Sequence, residues 1–165
     1  MTTHNPVTLT AQPGVPFIDI EREFDAPIAD VFRAHTDPEL VKQWLGPRRL
    51  EMDVKEYDVR PGGSYSYIHR DDSGAYGFKG IFHDVVPLES ITQTFEFDGW
   101  PGHVSLETAT FEDLGDRTKV RIHAVYQSLE DRDGMLSSGM EGGLTEGYER
   151  LDDVLAESVK SASVK

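Results

Sequence analysis

Tyr65, Tyr67 and His69 stand two residues apart in Ser64–Arg70, a spacing that turns all three to one face of a strand. On the concave side of a sheet such a trio could polarise a carbonyl or move a proton, the work of a general acid and base. The plainer reading is two tyrosines and a histidine packed at the amphipathic edge of a core. Other chemistries lack their residues. No G-x-S-x-G elbow offers a serine nucleophile, and neither G-x-x-x-x-G-K-[ST] nor G-x-G-x-x-G offers a phosphate cradle. The 6 histidines sit singly, without H-x-x-x-H spacing, and Asp71-Asp72 and Asp152-Asp153 read as a turn and a solvated helix face. The sequence therefore predicts no catalytic residue, no metal site and no cofactor.

The elements that would position these side chains are legible from periodicity. Phe17–Phe24 alternates Ile18 and Ile20 against charge, as a strand does. Pro27 suits a first helical turn, and Ile28, Val31, Phe32 and His35 follow on one helical face. Thr36-Asp37-Pro38 starts a second short helix carrying Leu40, Val41 and Trp44, which Gly46-Pro47 ends. From Leu50 to Tyr126, alternating stretches are separated by turns such as Arg60-Pro61-Gly62-Gly63 and Asp71-Asp72-Ser73-Gly74. Connections this short force antiparallel neighbours, giving a six-strand meander.

After the N-cap Ser128 the chain predicts one long helix. Met140, Gly143, Leu144, Gly147, Tyr148 and Leu151 fall on one arc of about 140°, opposite Glu141, Glu146, Glu149 and Asp152. The expected fold is α+β: a curved antiparallel sheet wrapped around a long C-terminal helix, with two short helices between the first two strands. Glycines in the long helix are anomalous, each costing roughly 1 kcal/mol against alanine. Gly143 and Gly147 lie on the buried arc, where missing side chains either let the helix approach its neighbour closely or leave room for a ligand.

The ligand reading names a site. Phe78, Gln93, Phe95 and Ile122 would line the sheet beside Tyr65 and Tyr67. Met140, Gly143, Leu144, Gly147 and Tyr148 would face them from the helix, with Trp44 at the mouth. Gln93 is the polar exception in an apolar row, and pockets combine apolar walls with a few such orienting groups. The alternative is a glutamine paired inside the core.

Order and spacing of several stretches resemble one family. Phe24-Asp25-Ala26-Pro27-Ile28-Ala29-Asp30-Val31-Phe32, Trp44-Leu45-Gly46-Pro47 and Asp58-Val59-Arg60-Pro61-Gly62-Gly63 carry the likeness. Met135–Gly143 and Tyr148-Glu149-Arg150-Leu151 complete it. Together, from about Phe17 to Glu157, they resemble the AHSA1-like branch (activator of Hsp90 ATPase homologues) of the START/Bet v 1-like, or SRPBCC, superfamily. The resemblance implies a helix-grip fold with an apolar cavity between sheet and final helix. It also implies two alternatives to ligand binding: a weak co-chaperone-like contact with Hsp90, and a cavity enzyme of cyclase or hydrolase type. For the Hsp90 contact the adjacent Arg48-Arg49 are the nearest basic anchor, and strong ATPase stimulation is not expected.

Charge narrows the partners. A formal net charge of −14 repels a phosphate backbone and an anionic membrane surface, so neither nucleic acid nor membrane is an expected partner. No apolar run reaches membrane-spanning length, and Met1–Pro16 lacks the features of a signal peptide. Absence of cysteine fits a reducing cytoplasmic compartment. The expectation is a small hydrophobic ligand, aromatic or lipid-like, bound by a cytoplasmic monomer or homodimer. Residues 1–16 are expected to be a disordered tail, 17–158 one domain and 159–165 a frayed end.

Overall fold

Alternation of buried and exposed positions builds the sheet. In the strand Phe17–Phe24, Ile18, Ile20, Arg22 and Phe24 are buried while Asp19 faces water. The computed structural model describes residues 4–164. The strands are β1 (Thr8–Thr10), β2 (Phe17–Phe24), β3 (Glu51–Tyr57), β4 (Ser64–Asp71), β5 (Gly74–Val86), β6 (Ser90–Phe97), β7 (Val104–Asp113) and β8 (Thr118–Val125). They form one 8-stranded sheet in the order β1-β2-β8-β7-β6-β5-β4-β3, with every pair antiparallel. The predicted meander is β3–β8, and β8 returns to pair with β2 along its whole length.

Four helices complete the chain: α1 (Ile28–Thr36), α2 (Pro38–Trp44), α3 (Leu129–Ser137) and α4 (Met140–Val164). Asp37 caps α2 by accepting from the Glu39 N–H at 3.0 Å, with Pro38 in the first turn. Ser128 caps α3 in the same way through the Asp131 N–H. Tyr148, Leu151, Val154 and Leu155 give α4 its buried side, which packs with Phe24 and Trp44 into the core on the inner face of the sheet. This is the helix-grip arrangement.

Three expectations need correction. The region expected as a tail carries β1, paired with Asp19–Glu21 of β2. The buried Arg132 guanidinium donates to the Gln12 and Val15 carbonyls at 2.5 and 2.7 Å, fixing the segment that follows β1. Only residues 1–3 of that region lie outside the described residues. The single helix after Ser128 is two, because Gly139 takes φ +87° and ends α3 as left-handed residues end helices. Lastly, α4 continues to Val164, with Lys165 outside the described residues.

Candidate functional site on the inner face of the sheet

Tyr65, Tyr67 and His69 do share the inner face, but as a ladder of rings. Their centroids follow at 6.1 and 5.0 Å, and no hydrogen bond joins one to another. Phe78 on β5 stacks on Tyr67 at 5.4 Å, and Phe95 on β6 stacks on Phe78 at 5.4 Å. The Tyr65 hydroxyl is committed elsewhere: it donates to the Thr94 carbonyl at 2.6 Å. Gly80 makes that reach feasible, since a Cβ there would stand 2.5 Å from the Tyr65 ring and 2.0 Å from the Thr94 oxygen. The Ile81 N–H then donates to the Thr94 hydroxyl at 2.9 Å, so side chains replace backbone partners at this point of the β5–β6 pair. Burial pushes both tyrosine hydroxyls far above their ordinary range, where neither titrates as a base near neutrality.

Next to this aromatic wall lies the polar feature that the sequence reading missed. Gln93 on β6 pairs across the sheet with Glu107 on β7, and Glu107 pairs with Ala124 on β8, placing all three side chains on the inner face. Among the described residues, the Glu107 carboxyl has no hydrogen-bond donor and no basic partner. It is half-buried on the inner face. Burial raises its pKa from 4.5 to about 7. Its charge helps to raise the hydroxyls of Tyr65, Tyr67, Tyr126 and Tyr148. Two residues earlier on the same face, the Ser105 hydroxyl is buried without a partner. Buried polar groups are nearly always paired, so two unpaired neighbours on one strand mark an unusual place.

Gln93, Phe95, Phe78, Ile122, Met140 and Leu144 are likewise half-buried, and Phe78, Ile122, Met140 and Leu144 pack against the core. A hollow of about 20 Å³, room for one water, opens between Phe95, Ser105, Tyr126 and Met135 under the Trp100–His103 loop. Those two rings stack at 3.9 Å, and His103 engages Asp131 at 2.9 Å, closing that end. A broader groove of about 360 Å³ crosses the opposite face of the sheet over Thr8, Asp19, Glu21, Arg121 and His123. It is larger, but its lining residues are mostly Thr and charged types that make ion pairs such as Arg121–Glu21, and of the expected site residues it includes only Ile122.

The rest of the expected site lies at a helix crossing. Trp44 donates from its indole nitrogen to the Ala34 carbonyl at 2.9 Å and stacks on Tyr148, which meets Phe24 edge-on at 5.0 Å. Gly147 faces backbone: a Cβ there would stand 3.1 Å from the Trp44 carbonyl oxygen and 3.2 Å from the Gly46 nitrogen. A Cβ on Gly143 would meet Pro47 at 3.6 Å. Both glycines thus admit the α2–β3 loop and leave no ligand space, and Arg150 ties that loop by donating to the Gly46 carbonyl at 3.1 Å. Gly142 has open space around it, so Gly142→Ala should stabilise the protein by about 1 kcal/mol in urea denaturation. Gly147→Ala should lose that gain or reverse it, because its neighbours are backbone atoms that cannot rotate aside.

The adjacent Arg48 and Arg49 are both engaged within the protein. Arg49 pairs with Asp71 at 3.0 Å and Arg48 with Asp153 at 4.0 Å. Among the described residues no three His, Asp or Glu side chains gather as a metal site requires, and no helix is long and apolar enough to cross a membrane.

An antiparallel sheet gripping a long helix, with polar groups set inside an aromatic wall, defines a helix-grip protein of the SRPBCC type. A family model for activator of Hsp90 ATPase homolog 1-like protein matches residues 25–156, and the chain belongs to that family. No curated protein matches the sequence. A solution structure of a protein from Arthrobacter aurescens superimposes with a TM-score of 0.83 at 24% identity, covering 91% of each chain. A crystal structure from Rhodobacter sphaeroides gives 0.84 at 22% identity, over 92% of this chain and 99% of that one. Protein Ms6760 from Mycobacterium smegmatis gives 0.82 at 23% identity, over 91% and 97%. These likenesses establish the fold, one that commonly binds hydrophobic ligands.

Proposed function

We propose that this protein binds a small, largely apolar molecule between the inner face of the sheet and α4. The observation that supports it is Glu107, a carboxyl inside the grip with no protein partner. A group so placed is costly unless something else pairs with it, and the rings of Phe78 and Phe95 beside it offer apolar wall. In this reading Phe78, Phe95, Ile122, Met140 and Leu144 supply the apolar contact. Gln93, Ser105 and Glu107 fix the orientation of the bound molecule. Tyr65 and Tyr67 shape the wall without donating to the ligand, because their hydroxyls are deeply buried and that of Tyr65 is already bonded.

The neutral fluorescent probe N-phenyl-1-naphthylamine tests this. Saturable, one-to-one enhancement is expected, and Leu144→Trp, which fills the space beneath α4, should weaken it at least about ten-fold. Failure to saturate, or affinity unchanged in Leu144→Trp and in Phe95→Trp, would remove the inner face as the binding site.

A further inference from the structure

The chemistry around Glu107 says more than that a ligand is apolar. Among the described residues the carboxyl has no basic partner to neutralise it, and the buried Arg22 of the same face is consumed by Asp152 through bonds of 2.6 and 2.7 Å. The Arg22 guanidinium also lies 4.5 Å over the Phe24 ring, so its charge is held twice over. On the same face, Phe95 lies diagonal to Glu107 on β6 and stacks on Phe78, so the carboxyl stands beside an aromatic wall. A lone acidic group on an otherwise apolar face is complementary to positive charge, because a buried carboxylate without a counter-ion is costly and a cation pairs with it. The chain's net charge of −14 acts in the same direction, drawing cations towards the molecule.

We infer that the ligand of the inner face is an organic cation, an ammonium group carried on an aromatic or aliphatic body, with the charge held against Glu107 and the body against Phe78 and Phe95. A neutral molecule offering only a carbonyl or ether oxygen would use Glu107 as a hydrogen-bond donor and only in its protonated form. This inference rests on the inner face being the binding site, and the experiment keeps the two claims apart.

The probes are 2-(2-naphthyl)ethylamine and 2-(2-naphthyl)ethanol, alike in body and different in charge, each titrated by fluorescence at pH 8. The amine is expected to bind about ten-fold more tightly than the alcohol, and Glu107→Gln should bring the ratio of the two affinities to about one. A second measurement needs no variant: as pH falls from 8 to 5.5, the amine's advantage should shrink. Opposite Glu107 in the sheet stand Gln93 and Ala124, and the four tyrosine hydroxyls its charge reaches stay neutral throughout that range. Equal affinities in the native protein, or an advantage that survives Glu107→Gln or persists unchanged to pH 5.5, would overturn the cation assignment while leaving the apolar site intact. Failure of both naphthyl probes and of N-phenyl-1-naphthylamine would overturn the site itself, and the cation assignment with it.

Discussion

Gly80→Ala is expected to destabilise the protein by about 3 kcal/mol or more, the largest loss for a single methyl group in the sheet. The added carbon would stand 2.0 Å from the Thr94 carbonyl oxygen and 2.5 Å from the Tyr65 ring. One obstacle is the backbone of the neighbouring strand. The other is a ring whose hydroxyl is bonded to that same carbonyl at 2.6 Å. Relief requires β5 and β6 to part and the Tyr65 ring to shift, which breaks its bond to that carbonyl. Tyr65→Phe isolates the second component, since it removes the hydroxyl and keeps the ring, and should cost about 1–3 kcal/mol. Urea denaturation of both variants separates them. A Gly80→Ala protein as stable as the parent would mean that Tyr65 does not lie across β5.

Glu107→Gln is expected to stabilise the ligand-free protein in a way that grows with pH. Folding raises the carboxyl from 4.5 to about 7, so between those values the folded state holds a proton that the unfolded state has released. Stability contributed by the neutral acid is therefore present below pH 4.5 and lost as pH rises through about 7. The amide has no such proton to lose. The advantage of the variant should climb across this window and level off above pH 7 at about 3 kcal/mol more than its value at pH 4.5. His35 works in the opposite direction: burial lowers it to about 4, so its contribution is complete above 6.5 and lost as pH falls. In the native protein the two slopes oppose each other between about pH 4.5 and 6.5, and the variant uncovers that of His35. Unfolding curves whose difference stays flat from pH 4 to 8 would show that Glu107 is solvated or paired in the folded state.

The architecture was readable because each strand from β2 to β8 is bounded by turn residues, and Pro27 and Pro38 announce their helices. Gly139 defeated that reading: periodicity runs through it, and only its left-handed backbone separates α3 from α4. β1 was hidden by the prolines around it, because its partner in pairing is supplied by β2 and its anchor by Arg132. Gly143 and Gly147 were placed on the correct buried arc, but an arc gives no distance, and the neighbour proved to be the backbone of the α2–β3 loop. The aromatic wall was legible because Tyr65, Tyr67, Phe78 and Phe95 alternate cleanly. Glu107 was not, because β7 inverts the usual pattern: Leu106 is 46% exposed on the outer face while Ser105 and Glu107 turn inward. The signal that would have found it is register, since a strand between Gln93 and Ala124 must put Glu107 on their face.

The short strand β1 makes one boundary of the sheet reversible. It pairs with β2 through Thr8–Thr10 alone, and a terminal strand of that length opens at a free energy well below that of global unfolding. While it is away, the backbone of Asp19–Glu21 becomes an open edge, the kind of surface on which a second chain can add. Asp19 and Glu21 stand on that edge as carboxylates, and the approaching copy carries the same net charge of −14. The side chains of Asp19 and Glu21 are engaged by His123, Lys119 and Arg121 of β8, so the repulsion that opposes a second copy at this edge comes from the net charge of the whole molecule.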